Sequence, residues 1–217
     1  MSTRPSIAEI LRLSPVMPVV TIEDAATAPE LARALVRGGI RTIEVTLRTK
    51  QALRAIEAIT AQVPEICVGV GTVMSTEDLN LAANAGAAFA ISPGATRELL
   101  EAGAAFRIPY LPAVATATEL MTAMAAGYRH FKLFPANIAG GVAALKGFHG
   151  PFPEARFCPT GGVTPQTAPG YLELPNVLCV GGSWLTPANA LAERDWARIE
   201  DLARDAAALR RSGAAAH

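Results

Sequence analysis

Short apolar runs recur along the chain about every 21 to 26 positions, at residues 16–20, 42–47, 67–73, 89–92, 110–114, 130–134, 156–160 and 177–181. Their length and content of β-branched and aromatic residues fit strands. The stretches between them place apolar residues at helical spacing. Several open on a start signal: in Ser75-Thr76-Glu77-Asp78 and in Thr116-Ala117-Thr118-Glu119 a hydroxyl can cap the backbone, while a carboxylate three residues on favours the helix N-terminus. Strand and helix alternate with no linker. The pattern predicts an α/β fold, a single (β/α)8 TIM barrel over residues 1–217, at a length near the lower limit for that fold. A doubly wound open sheet is the alternative. Ahead of the first run, Ile7, Ile10, Leu11 and Leu13 form an apolar stripe that predicts an extra N-terminal helix, either set across the barrel's N-terminal mouth or simply packed as core. Residues 212–217 read as a frayed tail.

Alternation within the runs sharpens this picture. In the second run Ile43, Val45 and Leu47 share one face and Glu44, Thr46 and Arg48 the other. In the sixth, Phe131 and Leu133 oppose His130, Lys132 and Phe134; in the seventh, Phe157 and Pro159 oppose Arg156, Cys158 and Thr160. If helices cover the apolar faces, the polar faces point inward, and Glu44, Arg48, Thr72, Lys132, Thr160 and Ser183 all fall towards the C-terminal ends of strands, where barrels carry their functional groups.

Composition narrows the partners. With 51% hydrophobic and 18% charged residues, the chain can bury roughly 70% of its unfolded surface around one core. Its 19 basic and 19 acidic side chains cancel without like-charge blocks, so a small molecule is expected rather than nucleic acid or a membrane surface. No leader-like or membrane-spanning apolar stretch is present, and a cytoplasmic location is expected. Cys67, Cys158 and Cys179 lack C-x-x-C spacing and read as reduced core residues. His130, His149 and His217 show no ligand spacing, so no metal is expected; Glu23 and Asp24 read as a solvated loop.

The candidate chemistry centres on His130-Phe131-Lys132-Leu133-Phe134-Pro135, which puts an ammonium in the middle of an apolar strand. Charges are rarely buried unpaired, and a lysine in low dielectric tends to lose its proton, which makes it a nucleophilic amine. Many strand lysines instead snorkel to solvent. Glu44 tilts the balance, since it would reach the same end and offer a proton-transferring carboxylate. Arg48, on Glu44's face, could hold a substrate carboxylate bidentately or merely pair with Glu44. Glycines follow four of the strands, in Gly69-Val70-Gly71-Thr72, Ser92-Pro93-Gly94, Thr160-Gly161-Gly162 and Gly181-Gly182-Ser183. The last two groups occupy the place where barrels often bind phosphate on backbone N–H groups, although glycine pairs also make plain tight turns.

These segments also resemble a known family. Gly38-Gly39-Ile40, Ile43-Glu44-Val45-Thr46-Leu47-Arg48-Thr49, Val70-Gly71-Thr72-Val73, Phe89-Ala90-Ile91-Ser92-Pro93-Gly94, Phe131-Lys132-Leu133-Phe134-Pro135-Ala136, Arg156-Phe157-Cys158-Pro159-Thr160-Gly161-Gly162 and Val180-Gly181-Gly182-Ser183-Trp184-Leu185 are similar to the 2-keto-3-deoxy-6-phosphogluconate (KDPG) aldolases, class I aldolases of the Entner-Doudoroff pathway. The resemblance covers nearly the whole chain. It implies a homotrimer of (β/α)8 barrels that reversibly cleaves the phosphorylated 2-keto acid to pyruvate and glyceraldehyde 3-phosphate with neither metal nor cofactor. It assigns the Schiff base to Lys132, acid/base work to Glu44, and the pyruvyl carboxylate end to Arg48 and Thr72. Pro93 and Phe134 become pocket residues, Thr160 a neighbour of the carboxylate and hydroxyls, and Gly161, Gly162, Gly182 and Ser183 the phosphate site. Two positions depart from the family pattern: Asn137 stands where a glutamate is usual, and Ala113 where glycine is usual. Action on 4-hydroxy-2-oxoglutarate (KHG) is a further expectation. The alternatives are an aldolase for the galactonate epimer, which Thr160 argues against, and a phosphate-binding barrel of isomerase, epimerase or non-catalytic type.

Overall fold

The computed structural model describes residues 5–209, so the tail 212–217 lies outside the described residues. Among the described residues nine strands are present: β1 (Val16–Val20), β2 (Thr42–Thr46), β3 (Cys67–Gly71), β4 (Phe89–Ile91), β5 (Tyr110–Leu111), β6 (Ala113–Val114), β7 (His130–Leu133), β8 (Arg156–Pro159) and β9 (Val180–Gly182). Each expected run overlaps a strand, and every strand pairing among the described residues is parallel. Six strands form one half-barrel sheet in the order β5-β4-β3-β2-β1-β9, and three form another, β6-β7-β8.

The ladders thus differ from the continuous eight-stranded ring predicted from the spacing, for two local reasons. Pro112 has no N–H and splits the run 110–114 into β5 and β6, though its carbonyl still accepts from Lys132 N at 2.9 Å. The last run pairs sideways before it joins β1. Phe157 N donates to Asn176 O at 2.8 Å and Leu178 N to Phe157 O at 3.0 Å, and β9 begins only at Val180. Isolated bridges, Phe157 with Val177 and Thr160 with Gly181, link β8 to this last segment.

Helices cover one face of the strands. The helix Ala28–Arg37 buries Leu31, Ala32, Ala34 and Leu35 on a single side. Gly38 at its end admits the helix Trp196–Ala207, since a Cβ there would stand 2.4 Å from the Ala203 Cβ. The hydroxyl–carboxylate start signals form as read, with reciprocal capping boxes between Ser75 and Asp78 and between Thr116 and Glu119.

A second hydrophobic cluster lies apart from the one beneath the helices, and joins Met17, Phe89, Ile91, Leu111, Cys158 and Cys179 to Ile10 and Leu11. Those last two are fully buried and follow from a one-turn helix, Ile7–Ile10, capped by Ser6 and Glu9. Leu13 is 43% exposed, so the stripe ends before it. Gly69 makes room for the Phe89 ring, which a Cβ would approach to 2.2 Å.

Candidate active site

β2 and β7 belong to different sheets, yet Lys132 Nζ donates to Glu44 Oε1 at 2.9 Å and to Oε2 at 3.2 Å. Lys132 is 4% exposed and Glu44 2%, so this is a buried ion pair. Taking two charges out of water costs several kcal/mol each, on the order of what their attraction returns. A fold seldom keeps such a pair for stability. Glu44 therefore pairs with Lys132, not with Arg48. Its position depends on Gly71, where an added Cβ would fall 2.1 Å from Glu44 Oε1. The Phe134 ring covers the ammonium, with Nζ 5.2 Å from its centroid.

The neighbouring strand supplies polar and soft groups. Lys132 is in register with Cys158, whose thiol is held below its ordinary range, first by its hydrogen bond with Cys179 and against the effect of burial. Thr160 Oγ1 and the Lys132 charge act in the same direction. Thr160 Oγ1 donates to Cys158 O at 3.3 Å, and Gly181 leaves space for it, since a Cβ there would meet that oxygen at 2.2 Å. At the other end of β7, burial foremost, then Arg12 and Arg156, lower the pKa of His130. Burial raises Cys67 to about 11, so that thiol stays protonated at neutral pH.

A cavity of about 580 Å³ opens at the C-terminal ends of β1, β2 and β9 and is lined by Arg48, Phe134, Thr160, Gly161, Gly162, Gly182 and Ser183. Seven of the expected site residues meet there. Glu44 and Lys132 do not line it; Phe134 and Thr160 are the links, since both line it and stand beside the lysine or its register partner Cys158. Thr72 and Pro93 are placed differently, half-buried after β3 and β4 and outside the cavity lining. Thr72 has φ of +63°, which costs a threonine on the order of 1–2 kcal/mol and fixes its direction.

The glycines after β8 have defined geometry. Gly161 and Gly162 have φ of +96° and +73°, conformations that other residues rarely adopt. Asn137 packs against this turn: its N–H donates to Gly161 O at 3.1 Å, and a Cβ on Gly162 would stand 2.2 Å from its Cγ. Ala113 is buried in β6 directly beside Lys132. Asp24 caps a short helical turn through Ala26 N at 3.0 Å.

Several lining residues were not among the expected site residues. Thr21, Trp184 and Thr186 also face the cavity, as does Thr46. Thr46 was accessible from alternation with Glu44. Trp184 was not, because its ring folds over Gly182, where a Cβ would be 1.9 Å from it. The part played by Gly71 depends on which side chain faces it across β2 and β3.

Comparison with known proteins gives one consistent result. The sequence model of a family described as KDPG and KHG aldolase matches residues 7–202. The KHG/KDPG aldolase of Escherichia coli is 50% identical over 201 residues, which span 93% of this chain and 94% of that protein. A crystal structure of the Zymomonas mobilis KDPG aldolase with 3-phosphoglycerate superposes with a TM-score of 0.92 at 46% identity, covering 98% of this chain and 100% of that one. The KDPG aldolase of Legionella pneumophila, with pyruvate captured as a covalent carbinolamine, gives 0.93 at 44% identity, covering 95% and 100%. A buried lysine–carboxylate pair beside a glycine-walled cavity thus sits on a framework shared almost end to end with these enzymes, and the chain belongs to the KDPG and KHG aldolase family.

Proposed function

We propose that the protein is a class I aldolase that reversibly cleaves KDPG to pyruvate and glyceraldehyde 3-phosphate through a Schiff base on Lys132, and that it also acts on KHG. The observation that carries this reading is the 2.9 Å contact between Lys132 Nζ and Glu44 Oε1, buried under Phe134. As an ammonium, Lys132 cannot attack. Transfer of one proton along that hydrogen bond leaves a neutral amine and a carboxylic acid, the two species that the first step needs.

The amine adds to the C2 ketone, and Glu44 moves protons as the carbinolamine loses water to give an iminium. Glu44 then takes the C4 hydroxyl proton while the C3–C4 bond breaks. The electron pair flows into the iminium and leaves a neutral enamine, and glyceraldehyde 3-phosphate departs. Glu44 returns a proton to C3, and water hydrolyses the new iminium to release pyruvate. Arg48 and Thr72 hold the carboxylate end, Pro93, Phe134 and Thr160 shape the pocket, and Gly161, Gly162, Gly182 and Ser183 take the phosphate, whose distance from the breaking bond lets it fix the chain's register.

The same reading extends to the architecture. The two sheets complete one (β/α)8 barrel in a single domain, with the helix Ile7–Ile10 added at its N-terminal end. In its favour, β1 neighbours both β2 and the last strand β9, an order that a doubly wound sheet does not have, and only Pro112 separates β5 from β6. Following the family resemblance, the enzyme is a cytoplasmic homotrimer; among the described residues no helix is long and apolar enough to cross a membrane.

Substrate preference follows from Thr160, a polar residue in the cavity lining where an apolar one would fit the galactonate form. Pyruvate release from KDPG, its C4 epimer and KHG, followed with a coupled dehydrogenase, tests this. KDPG is expected to have the highest kcat/KM. A higher value for the epimer would overturn the substrate assignment, and no pyruvate from any of them would overturn the aldolase reading.

A further inference from the structure

The cavity wall between the catalytic carboxylate and the glycine turn of β9 is a pair of threonines. Thr46, on Glu44's face of β2, is 1% exposed, and its Oγ1 donates to Val20 O at 3.2 Å. Thr21 Oγ1 lies 2.9 Å from Thr46 Oγ1, and both residues line the cavity. A hydroxyl has one hydrogen. The 2.9 Å contact allows either hydroxyl to donate; in the arrangement that also satisfies the Thr46 contact with Val20 O, the hydrogen between the two threonines comes from Thr21. The hydroxyl of Thr21 then has only lone pairs left to present to the cavity. It can accept from a hydroxyl, and it repels carboxylate or phosphate oxygens.

The lateral order of strands says which hydroxyl. β1 lies between β2 and β9, with Val19 in register with Glu44 and Pro18 with Gly182. Thr21, just past the end of β1, therefore stands between the carboxylate that acts at C4 and the Gly182-Ser183 turn. In KDPG the group between C4 and the C6 phosphate is the C5 hydroxyl. KHG has a carboxylate carbon at that position.

Building on the aldolase reading, we infer that Thr21 is a specificity-determining residue whose oxygen, oriented by Thr46 and Val20 O, accepts a hydrogen bond from the C5 hydroxyl of the phosphorylated substrate. It favours a hydroxylated aldehyde fragment over a carboxylated one.

The test compares kcat/KM for KDPG and KHG in wild type, Thr21→Val and Thr21→Ser, with the pyruvate–borohydride adduct at Lys132 measured on each. Thr21→Val is expected to lower the KDPG to KHG ratio about tenfold, the scale for losing one hydrogen bond and admitting an apolar group beside a hydroxyl. Thr21→Ser keeps the acceptor and is expected to stay within about twofold of wild type, the size of effect expected where the bond persists. An unchanged ratio in Thr21→Val, or an equal fall in Thr21→Ser, would overturn the assignment while the adduct still forms. Absence of the adduct from wild type would instead remove the aldolase reading beneath it.

Discussion

The two ends of the strand face turned away from the helices are built on opposite plans. At the N-terminal end Met17, Phe89, Ile91, Leu111, Cys158 and Cys179 close over Ile10 and Leu11 in an apolar layer. At the C-terminal end the same strands or their neighbours present Glu44, Thr46, Lys132 and Thr160, all buried and all polar. The plans meet without a gap, since Cys158 of the first is in register with Lys132 of the second; within single strands, β8 leads from Cys158 to Thr160 and β4 from Ile91 to Ser92 and Pro93. Each apolar side chain buried below contributes about 1.5–3 kcal/mol. The ion pair above returns little beyond its own desolvation. One layer holds the fold; the other is where the proposed function places its chemistry.

Substitutions can separate the layers. Glu44→Gln should reduce exchange of pyruvate methyl protons by about 10²–10⁴-fold, the usual range for a lost acid/base, while pyruvate binding persists. Deuterium exchange followed by NMR checks this, and exchange near the wild-type rate would move the role to another group. Phe89→Ala, in the apolar layer, should cost about 3–5 kcal/mol in urea unfolding and leave kcat per folded molecule nearly intact. If it abolished turnover in folded protein, the division between layers would fail. Gly162→Ala forces a left-handed turn and a contact with Asn137. It should raise KM for KDPG about tenfold, as expected for losing one or two hydrogen bonds to a charged group, and leave methyl exchange of pyruvate unchanged.

The smallest effect concerns His130, at the lower end of β7. Burial and the nearby Arg12 and Arg156 lower its pKa in the fold from an ordinary 6.5. The unfolded chain then binds the proton more readily, so this contribution is present above the unfolded value and is lost as pH falls through 6.5 towards the folded pKa. His130→Gln should therefore flatten the decline in stability below that pH, as measured by urea midpoints. An identical decline in both proteins would assign it to other groups.

Much of this was legible in the sequence, and its limits follow one rule. Glu44 and Lys132 can be paired from the sequence alone, because period-2 alternation fixes the face of a side chain and its place along the strand fixes the end. The glycine turns can be located for the same reason. Lateral relations are hidden. That Gly71 clears space for Glu44, that Thr21 reaches Thr46, and that Trp184 folds over Gly182 all depend on which strand lies beside which and in what register. The break between β5 and β6 is visible as Pro112, yet a proline inside a run of strand formers does not say whether the ladder bends or stops. Leu13 continues the apolar spacing of residues 7–11 and still lies outside the helix, because four residues complete the one turn that Ser6 and Glu9 cap.

Covalent chemistry at Lys132 is the step on which the proposed function stands. Incubation with pyruvate and borohydride, followed by proteolysis and mass spectrometry, tests it most directly. A reduced pyruvyl adduct is expected on Lys132, with loss of aldolase activity in proportion to its formation and no adduct in Lys132→Met. Unmodified Lys132 with full activity retained, or an adduct of the same yield at another lysine, would contradict it.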